Sequence, residues 1–360
     1  MQFGAIDYKN DCKKFRGDLP CRPHKEFGYH CSDCPAYAPG SGKILIIKLG
    51  AMGDVIRTTP LLEPLQSQYP NHEIWWLTQY PDAVPSSVDR ILQFSTESVL
   101  VAQSTDFDLV VSLDKDHFAI ALASQLRAKK ILGFTMVDGK CAPANEAARD
   151  KFITGLFDDA NKANEKSYLE EIFEICGYEF RGEEYILNNP VRKDWKIDSQ
   201  GKPIVGLNTG CGDRWTSRLW SEDYWLKLCE LLTEGGYFPL LLGGRQEDEK
   251  NARLAASGRA EYLGHFPLQE FVSLMDNCTT VVTAVTMGLH LAIGLRKKVV
   301  LMNNIFNPKE FELYGRGEIV MPERECTCYF SPKCKRSDYF CLDSLTPEMV
   351  FGAVRRQTDN

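Results

Sequence analysis

The chain has 360 residues, 44% of them hydrophobic and 25% charged, with a formal net charge of −7. That length allows two domains with substantial cores, and the composition is that of a soluble globular protein. The acidic balance argues against nucleic acid as a partner, because a phosphate-backbone binder needs a basic surface, whereas a small anionic ligand needs only a local donor cluster.

The first stretch, residues 1–42, is irregular and rich in cysteine, proline, glycine and charge, and PAYAPGSG (Pro35 to Gly42) reads as a linker. It has no apolar core of signal-peptide length, and no apolar run anywhere approaches the roughly 20 residues of a membrane-spanning helix. A cytoplasmic location is expected, with peripheral association at a membrane surface left open. Thirteen cysteines are many for such a chain. Four fall early (Cys12, Cys21, Cys31, Cys34) and four late (Cys326, Cys328, Cys334, Cys341), and the remaining five are expected to be small buried hydrophobes. In a reducing compartment, clustered cysteines point to metal ligation. Four thiolates suit a structural zinc or an iron–sulfur cluster, with His24 and His30 as spare ligands and zinc the first choice.

From Lys43 the pattern alternates between strand-like aliphatic runs and helical stretches. The runs are KILIIKL (from Lys43), EIWWLT (Glu73 to Thr78), DLVVSLD (Asp108 to Asp114) and KKILGFT (Lys129 to Thr135). After a polar section at Asn189 to Gly201 the alternation restarts with PIVGLN (Pro203 to Asn208), FPLLLGG (Phe238 to Gly244), TVVTAV (Thr280 to Val285) and KKVVLMN (Lys297 to Asn303). Continuous apolar strands separated by helices predict parallel sheets covered on both faces. Ser221 is placed to cap a helix with Trp225, Leu228, Cys229 and Leu232 on one face, ended by Gly235-Gly236. The expected fold is α/β, with two doubly wound Rossmann-like halves at 43–195 and 196–345 and a C-terminal helix at 346–360. Ligands of such folds sit at the carboxyl ends of the strands, here in a cleft between domains.

Three strand-end loops carry the chemistry. KLGAMGDVIRTTP has neither a P-loop nor a dinucleotide fingerprint. Its Asp54 either ties down a tight turn or faces a ligand and accepts a proton. Thr59-Pro60 resembles a helix cap and first turn. LNTGCGDRWTSRLW places Thr209, Gly210 and backbone donors beyond a strand, followed by Arg214 and Arg218, which suit a phosphate unless they are merely solvated. AVTMGLHLAIGL puts Thr286, Met287, Gly288 and His290 at a helix start, whose amides and dipole favour a diphosphate. A lone histidine there is more often a core residue than a catalytic one. Glu247, in LLGGRQEDE, is placed to take ribose hydroxyls. A nucleotide diphosphate in the second half and a carboxylate across from it is the layout of a sugar transferase of the GT-B type.

Together KLGAMGDVIRTTPLL, NTGCGDRWTSRLW, LLGGRQEDE and TMGLHLAIGLRKKVVLMNN resemble glycosyltransferase family 9, the ADP-heptose:lipopolysaccharide heptosyltransferase family, from about Lys43 to the C-terminus. The resemblance implies an acceptor domain first and a nucleotide-sugar domain second. It implies Asp54 as general base in one inverting displacement that needs no divalent metal. Thr209, Gly210 and Arg218 would then hold the donor diphosphate, and Glu247 the nucleoside. The implied partners are a nucleotide-diphosphate sugar, ADP-heptose by resemblance, and a lipopolysaccharide-core or related glycan acceptor at the inner membrane surface. Relatives often have lysine where Arg218 stands. They also have Asp-Thr where this chain has Val285-Thr286, and a different loop where it has MNNIFNPKEFELYG (Met302 to Gly315), whose Glu310 and Glu312 are candidates to compensate. Val285 keeps open a second reading, a nucleotide-binding or partner-docking protein of this fold without transferase activity.

Overall fold

Ile44, Leu45, Ile46 and Ile47 are completely buried, as an unbroken aliphatic run between two parallel neighbours requires. They form β1 (Gly42–Ile47), followed in the chain by β2 (His72–Thr78), β3 (Arg90–Gln93), β4 (Asp106–Ser112), β5 (Arg127–Val137) and β6 (Lys140–Pro143). The computed structural model describes residues 7–188, 191–212 and 214–358. Residues 1–6 of the cysteine-rich stretch, Asn189 of the polar section and Asp213 of the arginine loop lie outside the described residues.

The first sheet runs β3-β2-β1-β4-β5-β6, parallel throughout except for the β5–β6 pair. Leu45, Ile47, Trp75, Leu77 and Val110 pack against Ala119, Leu122 and Ala123 of the helix His117–Gln125. The second sheet contains β7 (Ile204–Asn208), β8 (Phe238–Leu242), β9 (Thr280–Ala284), β10 (Lys298–Met302) and β11 (Gly317–Val320), in the order β11-β10-β9-β7-β8 and all parallel. Strand order reverses at β7, with β8 on one side and β9 on the other. The ligand crevice of a doubly wound sheet lies at such a reversal, beyond the strands' carboxyl ends.

All eight aliphatic runs are strands. The helix Glu222–Glu234 is capped by the Ser221 hydroxyl, which accepts from the Tyr224 amide, and it buries Trp225, Leu228, Cys229 and Leu232. The C-terminal helix Pro347–Thr358 buries Val350, Ala353 and Val354 in the same cluster. Thr59 is not the helix N-cap: it begins the 3-10 turn Thr59–Leu61, and the helix Leu62–Gln68 has Leu61 at its cap position. Of the five single cysteines, Cys211, Cys229 and Cys278 are buried as expected, whereas Cys141 and Cys176 are partly exposed.

The chain divides into two compact units. The first takes the described residues up to Gly50, with Thr59–Phe152 and Ile172–Glu183. The second takes Ala51–Thr58, Ile153–Glu171 and the described residues from Glu184 onward. Among the described residues, no helix is long and apolar enough to cross a membrane.

Candidate active site

The turn after β1 is held from below by another residue. Asp114, which follows β4, is buried, pairs with Lys48 and accepts the amides of Leu49 and Gly50, the latter at 2.9 Å. Turn amides that a carboxylate must satisfy are therefore satisfied by Asp114. Asp54 sits three residues further on, in the first turn of the short helix Met52–Ile56, and faces a cavity of about 630 Å³. Asp54 thus lines the cavity with its carboxylate paired to Arg57.

That cavity is walled within the second unit, by the segment carrying Asp54, the loops after β7, β8 and β9, and the loop after β10. Gly53 lets the short helix approach closely, since a Cβ there would stand 2.5 Å from the His290 ring. Arg57, one turn after Asp54, donates to its carboxylate at 2.9 Å and to Glu310 at 2.7 Å, and its guanidinium lies 3.7 Å over the Tyr168 ring. Burial alone would lower the basicity of Arg57, but Asp54 and Glu310 outweigh it and hold the guanidinium firmly protonated.

After β7 the chain splits its tasks. Asn208 donates to Thr283 and Thr286, each at 3.0 Å, which binds the ends of β7 and β9 together at the point of strand reversal. Thr209 is not brought to the cavity: its hydroxyl donates to Asn251 at 2.6 Å, and its carbonyl accepts from Lys250 at 2.8 Å. Gly210 faces the cavity with Glu247 pressed against it, and a Cβ at Gly210 would lie 2.0 Å from the Glu247 carboxylate. Glu247 in turn accepts the Gly244 amide at 2.9 Å.

Arg214 and Arg218 both line the cavity. Arg218 is stacked at 5.3 Å on Trp215 and 5.4 Å on Phe306, and its Nε is buried without a partner. Its Nη2 donates to the Cys211 carbonyl at 3.5 Å. Burial lowers its pKa to about 10, which still leaves it charged near neutrality. A desolvated cation with an unpaired donor attracts an anion strongly.

Thr286 caps the helix Met287–Gly294, accepting the Gly288 amide at 3.1 Å, so this N-terminus opens on the same cavity as Arg218. His290 is 5% exposed, and its Nδ1 lies 3.4 Å from the Tyr185 hydroxyl. Burial, reinforced by Arg57, pushes its pKa down to about 3 despite Asp54, so it presents a neutral imidazole. Val285 lines the cavity where a carboxylate was looked for, and Glu310 is the loop carboxylate that reaches it; Glu312 turns back to its own Tyr314 amide. Sequence reasoning missed Arg57, Asn208, Trp215 and Phe306. The available signal for Arg57 was its position three residues after Asp54 on one helix face.

The sequence model of glycosyltransferase family 9 (heptosyltransferase) matches residues 104–339, more than half of the chain. The chain belongs to that family. Lipopolysaccharide heptosyltransferase 1 of Pseudomonas aeruginosa is 24% identical to this glycosyltransferase over 350 residues, covering 86% of this chain and 96% of the relative. Among solved structures, the family 9 glycosyl transferase from Veillonella parvula has a TM-score of 0.65 at 16% identity, over 89% of this chain and 98% of that one. The Escherichia coli heptosyltransferase WaaC with ADP has a TM-score of 0.58 at 18% identity, over 88% and 98%. At these identities the structures testify to the fold.

The cysteine sets of this glycosyltransferase lie outside the cavity wall. In the later set, Cys328 Sγ lies 3.8 Å from Cys334 Sγ, Cys326 Sγ accepts the Cys328 amide at 3.4 Å, and Cys341 Sγ accepts from Asn304 at 3.3 Å. The amide of Lys335 holds the Cys328 thiol below its usual range. The early four, Cys12, Cys21, Cys31 and Cys34, line one small cavity that neither His24 nor His30 reaches. Among the described residues, no three His, Cys, Asp or Glu side chains already stand as a metal site.

Proposed function

We propose that this family 9 glycosyltransferase, of GT-B type, moves heptose from ADP-heptose to a lipopolysaccharide-core or related glycan acceptor. The observation that carries the reading is that the Asp54 carboxylate and the desolvated Arg218 guanidinium face one cavity. In the proposed step an acceptor hydroxyl attacks the anomeric carbon, Asp54 takes its proton, and the bond from that carbon to the diphosphate oxygen breaks with inversion. The negative charge of the departing diphosphate is met by Arg218, Arg214 and the helix N-terminus at Thr286, groups placed before the reaction begins. Arg57 keeps the Asp54 carboxylate oriented, and Glu247 with Gly210 forms the nucleoside side of the cavity. His290, neutral, serves as a wall and not as an acid. The relatives' names support the sugar and acceptor, and an acceptor of that kind would be met on the cytoplasmic side of the inner membrane, at its surface.

Thermal stabilisation by ADP-, UDP-, GDP-, CDP- and dTDP-linked ligands tests this first. A ligand at a hundred times its dissociation constant adds about 2.7 kcal/mol to stability. Selective stabilisation by ADP and ADP-heptose, followed by heptose transfer to a core acceptor, is the expected result. Selectivity for another nucleotide would overturn the donor. Stabilisation without transfer to any acceptor would favour the binding-protein reading that Val285 suggests.

We also propose that the later cysteine set holds a structural zinc or iron centre. Its 3.8 Å Cys328–Cys334 separation matches the edge of a tetrahedron with metal–sulfur bonds of about 2.3 Å, and its amide donors suit thiolates.

A further inference from the structure

Between residue 7 and the start of β1 the chain has one buried side chain among the described residues, Pro23. Its helix, Arg22–Phe27, is six residues long. So short a segment cannot offset its ordering entropy by apolar burial, since fixing each residue costs about 1–2 kcal/mol. Its two ends are tied by backbone: Cys12 bridges Pro39, Lys13 donates to the Ala38 carbonyl at 2.8 Å, and Gly40 donates to Asp11 at 2.7 Å. Between these ends the backbone hydrogen bonds are local, as from Gly28 to His24 and from Tyr37 to Cys34.

What they share is a cavity of about 30 Å³ walled by Cys12, Cys21, Cys31 and Cys34. That is room for about one or two water-sized bodies. Four cysteines separated by up to 22 positions in the chain converge on it from three places: the Cys12 bridge, the N-cap of the helix at Cys21, and the turn carrying Cys31 and Cys34. The Cys21 side chain makes no cap hydrogen bond, so ligation would cost it none. Histidine is not a competitor, because His24 Nδ1 lies 3.0 Å from the Tyr29 carbonyl and neither imidazole lines the cavity. Lys14, on the same wall, offsets part of the negative charge that four thiolates around a divalent ion would leave.

We propose that Cys12, Cys21, Cys31 and Cys34 form a tetrathiolate site for one zinc ion, which fixes this segment in place of a hydrophobic core. Binding takes one Zn²⁺, releases four thiol protons and forms four Zn–S bonds with no change of oxidation state. The thiols do not yet stand at coordinating distance, so binding the ion would draw the four side chains together across the cavity they share. The site is independent of sugar transfer.

The test uses the full chain, purified without a metal-binding tag. Native alkylation with N-ethylmaleimide, read peptide by peptide by mass spectrometry, reports the early and late cysteine sets separately. The expected result is that Cys12, Cys21, Cys31 and Cys34 are protected together and become labelled together when a chelator removes zinc. Cys31→Ser with Cys34→Ser should lower the zinc content by about one equivalent per chain while leaving labelling of the late set unchanged. Free labelling of the early four in untreated protein, a disulfide among them, iron in place of zinc, or zinc content indifferent to the double substitution would each overturn the proposal. The labelling arm needs no variant, so a substitution that fails to fold does not leave the question open.

Discussion

Arg57 Nη2 lies 2.9 Å from Asp54 Oδ1, one turn along the same short helix, and the same guanidinium reaches Glu310 at 2.7 Å. The proposed base is thus oriented by a cation that is itself shared. Asp54→Asn keeps the shape and removes the proton acceptor. Transfer should fall by about 10²- to 10⁴-fold with ADP affinity nearly unchanged, measured by turnover and by calorimetric titration. Full turnover in that variant would falsify the assignment of the base.

Arg57→Lys probes the fork. An ammonium is a point charge and does not span two carboxylates as a planar guanidinium does. Transfer should drop at least about tenfold while donor binding holds, because the loss lies in orienting Asp54 and not in gripping the diphosphate. A matching loss of nucleotide affinity would move Arg57 from the base to the donor.

Arg218 should behave in the opposite way. Its removal takes away a buried cation with a spare donor, an interaction with an anion worth roughly 1.5–3 kcal/mol. Arg218→Ala should weaken ADP binding by about 10- to 100-fold, and Arg218→Lys, the residue relatives often carry, should recover much of it. Unaltered binding in the alanine variant would place the diphosphate elsewhere.

The eight longer strands were legible from their apolar runs, which are buried along most of each strand except β5, where burial is confined to 132–134. The three that were missed, β3, β6 and β11, are four residues long and lie at sheet edges, where exposure mixes the pattern. Ser221 and Thr286 were legible as caps because capping is local chemistry. Arg57 was not, since its partner Glu310 stands 253 positions away and only the fold joins them. Thr209 shows the converse: the loop was identified, but a hydrogen bond to Asn251 turns its side chain inward, which spacing does not reveal.

Gly210 is required by its neighbour, not by its own backbone. A Cβ would lie 2.0 Å from the Glu247 carboxylate, so Gly210→Ala must push that side chain away. Overpacking of this kind costs about 1–3 kcal/mol. The melting temperature should fall, and if Glu247 contacts the nucleoside, selectivity among nucleotides should fall with it. Lost stability with selectivity intact would remove Glu247 from recognition.

His290 links the site to pH. Its pKa is about 3 in the folded chain, against about 6.5 when unfolded, so between those values the unfolded state holds the extra proton. Its contribution is complete above pH 6.5 and is lost progressively as pH falls toward 3. From neutrality to pH 5 the loss amounts to about 2 kcal/mol. Urea unfolding at pH 7 and pH 5 should show it, and His290→Gln, which cannot take a proton, should be less stable at pH 7 yet lose less on acidification. Burial sets the sign of its shift, Arg57 reinforces it by opposing a second positive charge, and Asp54 offsets only part of both. An equal pH slope in the variant would mean that the histidine titrates normally, and the helix Met287–Gly294 would then open more to water than its packing against Gly53 indicates.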